Sequence, residues 1–186
     1  IFVTGGTGLV GSHVLLKLSQ RGEKIKALKR ASSSLDICGN IFKYYQADDL
    51  FAKINWVDGD ITDVNLLEEV MKGCDFLLHC AAVVSFSAYD IDLMKRVNID
   101  GTANIMNVAL DCGIKKAGFV SSIAALGGAS PLQAIDESSH FKFTKKASNY
   151  AITKYFAEQE VWRASAEGLD VVIVNPSVIL GPGDWK

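Results

Sequence analysis

Ile1-Phe2-Val3-Thr4-Gly5-Gly6-Thr7-Gly8-Leu9-Val10-Gly11 decides the fold. An apolar strand runs into a glycine-rich turn, and the turn opens a helix whose expected inward face is Leu9, Val10, Val14, Leu15 and Leu18. Gly5 and Gly8 permit backbone angles and close approaches that a Cβ forbids. Unbonded N–H groups at the helix start, with the positive end of the helix dipole, favour an anion there. Gly11 sits one turn into the helix, where a missing side chain lets helix and strand pack closely. Thr4, Gly5, Gly8, Leu9, Val10 and Gly11 are therefore expected to cradle a dinucleotide pyrophosphate, because the glycines stand between a strand and an amphipathic helix in a βαβ unit.

The spacing Gly5, Gly8, Gly11 is GxxGxxG, and Thr4 to Gly11 resembles the TGxxGxxG turn of the short-chain dehydrogenase/reductase superfamily. Outward from it, Glu23 to Leu28 reads as a second strand ending in Lys29-Arg30. In dinucleotide folds an acid near this place holds the adenosine ribose, whereas basic residues accommodate a 2′-phosphate. Lys29 stands roughly where the acid belongs, so NADP is favoured over NAD. Arg30 is the better phosphate ligand because its planar fork matches phosphate geometry.

Residues 31 to 50 are polar and irregular, with an unplaced short element at Ile41 to Tyr45. Lys53 to Val57 reads as a third strand, followed by a turn in which Asp60 and Ile61 could line an adenine pocket. Asp63 is expected to cap the helix Val64 to Lys72. Asp75 to His79 is a nearly wholly apolar fourth strand, as a parallel sheet covered on both faces requires. It leads into His79-Cys80-Ala81-Ala82, a run that resembles the HxAA turn placed beside the cofactor in extended short-chain dehydrogenases. Small residues there let backbone approach a ligand, and His79 itself reads as a hydrogen-bonded structural residue.

A long helix is predicted over Asp90 to Asp111, burying Val97, Ile99, Ala103, Ile105, Met106 and Ala109. Within it Val97-Asn98-Ile99-Asp100-Gly101-Thr102 is similar to the family's VNxxGT run. Asn and Gly inside a helix both lower its stability, Gly by roughly 1 kcal/mol relative to Ala, so each needs a reason. Asn98 is expected to bond backbone near the active site and Gly101 to allow close packing. Alternation of strands and helices with short connections then argues for an α/β, doubly wound parallel sheet of Rossmann type.

The chemistry is expected from Ser122, Tyr150 and Lys154. A fifth strand, Ala117 to Ser121, ends beside Ser122, and Tyr150 and Lys154 lie four residues apart on one helical face. A free tyrosine has a pKa near 10, and lowering it to about 7 takes roughly 4 kcal/mol of preferential stabilisation of phenolate. Lys154 and the charge of an oxidised nicotinamide could supply that in a partly dry site. Tyr150 would then exchange a proton with a substrate oxygen that Ser122 holds, while Lys154 also binds the nicotinamide ribose. Ser122 is preferred to Ser121 because the family's serine precedes a glycine by five positions, as Ser122 precedes Gly127; Ser121 stays open.

The resemblance spans the chain and ends in Asn175 to Asp184, similar to the loop after strand six that lies beside the nicotinamide, which adds Pro176, Ser177 and Val178 to the cofactor set. The separation of Ser122 and Tyr150 suits the extended subfamily, whose members include nucleotide-sugar epimerases, 3β-hydroxysteroid dehydrogenases and dihydroflavonol-reductase-like enzymes. Asp136-Glu137 is similar to an acidic pair of that subfamily and reads as structural. The resemblance implies an NADP-dependent oxidoreductase acting on a carbonyl or alcohol. An NAD-retaining nucleotide-sugar epimerase and a non-catalytic dinucleotide sensor are the alternatives.

The 186 residues suffice for one buried domain. A net charge of −2 gives no general footprint for nucleic acid or an anionic membrane, and neither partner is expected. Cys38, Cys74, Cys80 and Cys112 lack metal-site spacing and read as reduced, mostly buried thiols in a cytoplasmic protein, with no metal. The start inside a strand and the stop after a loop suggest a chain cut at both ends, its substrate lobe lying beyond Lys186. A homodimer through the helices at 90–111 and 149–167 is open.

Overall fold

A computed structural model describes residues 1–127, 135–145 and 147–183. Six parallel strands form one sheet in the order β3-β2-β1-β4-β5-β6: β1 Phe2–Thr4, β2 Lys26–Lys29, β3 Asn55–Asp58, β4 Phe76–His79, β5 Lys116–Val120 and β6 Val171–Val174. The order reverses between β1 and β4, and the loops leaving those two strands form the crevice where doubly wound folds bind ligands.

Alternation within the strands divides the core. Phe2, Leu28, Leu77, Ala117 and Phe119 point to one side, under α4 (Val64–Met71), α6 (Gly101–Asp111) and α7 (Asn149–Ala166). Val3 and Ala27 point to the other, under α1 (Leu9–Gln20) and α2 (Asp36–Tyr44), with a further turn, α3 (Asp48–Phe51), beside them. Asp63 caps α4 as expected, its carboxylate accepting from the Leu66 N–H at 3.1 Å.

The expectation of a sheet covered on both faces holds only in part. Phe76, Val172 and Val174 are exposed, because α1 and α2 reach over β1 and β2 but not over the neighbouring side of β5 and β6. The stretch left unplaced in the sequence contains α2, whose Cys38, Ile41 and Phe42 are buried at i, i+3 and i+4. In α1 Leu15 is buried and Leu9, Val14 and Leu18 pack against the core as expected, with Gly11, Ser12 and Leu16 buried beside them and Val10 at the edge. Of the cysteines, only Cys38 is fully buried, and all four are free thiols.

The predicted helix over 90–111 is composite. A 3₁₀ turn at Ala88–Asp90 leads to α5 (Ile91–Met94), a π-helical segment at Lys95–Asp100, and then α6. The wider π turn shifts the helical phase by about one residue. Asn98, Gly101 and Thr102 therefore turn inward, where Val97, Ile99 and Ala103 had been expected to be fully buried. Gly101 faces the Ile61 side chain, 2.5 Å from where a Cβ would stand, which accounts for a glycine inside a helix.

Gly11 rests on the backbone of Gly5, and a Cβ there would collide with the Gly5 carbonyl. Alanine normally gains about 1 kcal/mol over glycine in a helix. Gly11→Ala is expected to do the reverse and lower the urea midpoint, since backbone rather than a flexible side chain stands in the way; an unchanged or raised midpoint would refute that close packing.

Candidate active site

Two backbone turns form the floor of the site. Gly5 has φ +71°, and a Cβ on it would lie 2.5 Å from the Ala81 nitrogen, so the turn after β1 and the turn after β4 touch directly. Gly8 precedes α1 as its N-cap residue, without a side chain to occupy the free N–H groups. Above this floor runs a cleft of about 300 Å³, lined by Thr4, Gly5, Thr7 and Gly8 at one strand end and by Cys80, Ala81, Ala82 and Val83 at the other. Asp60 and Ile61 complete its wall, with Lys29 and Arg30 at the end of β2. Cys80 burial pushes its thiol up to about 12, so it stays neutral.

The two basic residues differ. Lys29 is paired with Asp58 across the β2–β3 ladder and its side chain is largely covered, whereas Arg30 is exposed. Asp60 is partly buried, which raises its pKa, but hydrogen bonds from Thr62 and the charges of Arg30 and Arg96 outweigh this and hold it below the usual carboxylate value. Leu9 and Val10 line a separate groove beside Ile179 to Pro182. Gly11 contributes by packing, and Thr4 is fully buried.

A chain of buried hydrogen bonds leads from this floor to α7. Thr4 Oγ1 accepts from the Ala81 N–H at 3.3 Å and lies 2.6 Å from His79 Nδ1, while His79 Nε2 lies 3.0 Å from Thr102 Oγ1. The Thr102 hydroxyl donates to the Asn98 carbonyl at 2.6 Å. Thr102 Oγ1 must then accept from His79 Nε2–H, which leaves Nδ1 to accept from Thr4 and assigns the neutral tautomer. Burial, followed by the charge of Lys154, depresses the His79 pKa to about 3. Asn98 closes the chain: Oδ1 accepts from Val83 N–H at 2.7 Å, and Nδ2 donates to Val83 O at 2.9 Å and to Thr153 Oγ1 at 3.2 Å.

The β4 loop continues from Val83 to Phe86, whose ring meets Tyr150 edge-on with centroids 6.3 Å apart. Ser122 caps a 3₁₀ turn at Ile123–Ala125, accepting from the Ala124 N–H at 3.1 Å, and its hydroxyl also reaches the Tyr150 phenol. Burial raises the Tyr150 pKa while Ser122 pulls it down, with a net rise. The depression expected from Lys154 and an oxidised nicotinamide together is not produced by Lys154 alone. Its ammonium donates to Val120 O at 2.9 Å and stands 4.4 Å from the centre of the Phe119 ring. Burial lowers the Lys154 pKa to about 8, against the opposing charge of Glu158. Ser121 turns inward, donating to Glu158.

Pro176 accepts the Ile123 N–H at 3.1 Å, but Ser177 and Val178 are exposed and stand outside the cleft. Asp184 lies outside the described residues. Asp136 organises a local turn by accepting from Ser138, consistent with a structural part. Sequence reasoning missed Thr7, Val83 and Val97 in the cleft wall, the buried Glu158 and the half-buried Asn175. Only Glu158 left a usable signal, a carboxylate four residues beyond Lys154 on the same helical face.

The crevice at a reversal of strand order, with a glycine turn opening a helix at its floor, defines a dinucleotide-binding domain. The family model for the NAD dependent epimerase/dehydratase family matches residues 1–186, and the chain belongs to that family. A Synechocystis protein, named provisionally as a dihydroflavonol 4-reductase, is 40% identical over 185 residues, covering 100% of this chain and 50% of its own length. A Stigmatella aurantiaca 4-hydroxy-2-methyl-3-oxo-4-farnesyl-3,4-dihydroquinoline-1-oxide ketoreductase is 34% identical over 183 residues, 98% of this chain and 51% of that protein. Among solved structures, gox2253 superposes with a TM-score of 0.78 at 34% identity, over 94% of this chain and 50% of its own. The chain thus spans about half the length of the curated relatives it matches. Among the described residues, no helix is long and apolar enough to cross a membrane.

The neutral His79 links folding to pH. Its folded pKa of about 3 lies below the ordinary 6.5, so the unfolded chain binds the proton first as pH falls. Stability from this group is complete above pH 6.5 and is lost progressively towards pH 3. Denaturation midpoints should therefore fall as pH drops below 6.5, before carboxylates titrate, and His79→Gln should flatten that slope; equal slopes would show that His79 does not carry it.

Proposed function

We propose that the protein to which this chain belongs is an NADP-dependent oxidoreductase that interconverts a carbonyl and an alcohol. The observation that carries the reading is the approach of Ser122 to Tyr150 at the end of the β4 loop that walls the cleft. The glycine floor fits a pyrophosphate, since Gly5 and Gly11 let the turn pack against the Cys80-Ala81 peptide and α1, and Gly8 leaves the N–H groups at the start of α1 without a side-chain cap. Gly8 and the start of α1 would hold it, with Ala81 and Ala82 allowing close approach. Arg30, exposed at the end of β2 where no acid stands, would take a 2′-phosphate.

When bound, a reduced nicotinamide would supply the hydride for the substrate carbon. Ser122 orients the substrate oxygen and Tyr150 gives it a proton, so a carbonyl, a hydride and a proton yield the alcohol. The raised Tyr150 pKa keeps the phenol protonated at neutral pH and suits this acid role. Lys154, with a pKa near 8, lies one turn along α7 and can steady the phenolate and return its proton. Asn98 acts through Val83 and Thr153 and positions the two walls of the site. The exposed Phe156 and Trp162 on α7 support a homodimer through this helix, which sedimentation analysis of full-length protein would test.

Tyr150→Phe should lower turnover of a carbonyl substrate by on the order of a hundredfold or more while NADPH still binds; unchanged turnover would remove Tyr150 from the mechanism. Arg30→Ala should weaken NADPH roughly tenfold or more, as loss of a charged hydrogen bond does, and leave NADH affinity unchanged. Nucleotide released by denaturant decides the cofactor class: exchangeable NADP supports the reductase, and tightly held NAD would point to the epimerase.

A further inference from the structure

Beneath the proposed catalytic residues lies a buried carboxylate with three donors. Ser121 Oγ donates to Glu158 Oε2 at 2.6 Å, Asn175 Nδ2 donates to the same oxygen at 2.9 Å, and Trp162 Nε1 reaches Oε1 at 3.4 Å. Glu158 is 8% exposed. Two of these donors come from other elements at the edge of the site. Ser121 follows β5 and immediately precedes Ser122; Asn175 follows β6 and also donates to the Ser122 carbonyl at 3.1 Å. A single carboxylate oxygen thus joins the ends of two strands to the helix that bears Tyr150 and Lys154.

We propose that Glu158 is a positioning residue of this site: its carboxylate fixes the Ser121-Ser122 and Asn175 segments against α7 and places its negative charge one helical turn beyond Lys154. The proposal rests on the reductase reading for the roles of Ser122, Tyr150 and Lys154. A buried acid accepting from two other elements fixes geometry more firmly than a surface pair, because the buried Ser121 hydroxyl would otherwise be left without a partner away from water.

The charge argument requires the whole surroundings of Lys154. From β4 it faces His79, neutral and hydrogen-bonded on both nitrogens, and Cys80, a thiol held protonated by burial. From β5 it faces the Phe119 ring and the Val120 carbonyl. On its own helix, Tyr150 lies one turn before it and Glu158 one turn after. Burial drives Lys154 towards the neutral amine, and Glu158 is the first of the groups opposing that. Its carboxylate therefore extends the pH range over which Lys154 can return a proton to Tyr150.

The test compares full-length wild type with Glu158→Gln, which keeps the shape and removes the charge, and Glu158→Asp, which keeps the charge and shortens the reach. For Glu158→Gln the alkaline limb of the kcat profile should move to lower pH by about one unit, with kcat reduced about tenfold and KM for NADPH little changed. For Glu158→Asp the limb should stay in place while kcat falls. The Lys154 side-chain resonance in lysine-labelled protein, assigned with Lys154→Arg, gives the same titration without turnover. A Glu158→Gln protein in which neither the limb nor the resonance midpoint moves would overturn the proposal. If Glu158→Gln does not fold, a wild-type kcat in Glu158→Asp would overturn it. Wild type that turns over no carbonyl would defeat the reductase reading, while the Lys154 titration would still decide the part played by Glu158.

Discussion

The rest of the site depends on the contact between two backbone turns, one leaving β1 and one leaving β4. Gly5 and the Cys80-Ala81 peptide lie too close for any side chain between them. The parallel ladder pairs Thr4 with His79, so the turns that follow begin side by side. One turn opens α1 and presents its free N–H groups; the other continues as the wall that ends at Phe86 and Tyr150. The glycine turn at the start of α1 and the wall beside Tyr150 are thus fixed relative to one another by backbone, before any long side chain contributes.

The buried relay through Thr4, His79, Thr102 and Asn98 extends that fixation across the sheet. Each member has a partner on either side, and such networks hold one geometry firmly because a broken link leaves a polar group without water. His79 stays neutral for the same reason: both nitrogens are engaged, and a proton on Nδ1 would face the Thr4 hydroxyl's hydrogen and the nearby Lys154 charge. The π turn is part of this arrangement. Without its extra residue Asn98 would rotate away from Val83 and Thr153, and the relay would end at Thr102.

What could be read in the sequence was local. The glycine turn, the positions of the strands, the Asp63 cap and the structural His79 follow from spacing and polarity within a few residues. The amphipathic α2 was obscured by a polar, serine-bearing approach, although Cys38, Ile41 and Phe42 carry a helical period. The apolar residues Ile105, Met106 and Ala109 are buried as expected, but tertiary contacts add what the period does not show: Gly11 seats α1 on Gly5, and the π turn rotates Asn98, Gly101 and Thr102 inward. A regular 3.6-residue period cannot reveal an inserted residue. The internal Asn and Gly were the visible trace of it, two poor helix formers whose reasons appear only when Val83 and Ile61 are brought against them.

The Tyr-Lys spacing shows the limit of a pairwise reading of charge. Four residues place Lys154 on the same face as Tyr150, yet an ammonium acts according to where it points. Lys154 reaches across to the Val120 carbonyl and lies against Phe119, so burial dominates the phenol and raises its pKa. Under the proposed reductase reading, a phenol kept protonated by burial suits giving a proton to a developing alkoxide. Glu158 sits on the far side of Lys154 and also holds Ser121 and Asn175. The electrostatics of the proton path and the geometry of the strand ends therefore converge on the same carboxylate, and a change that neutralises it acts on both at once.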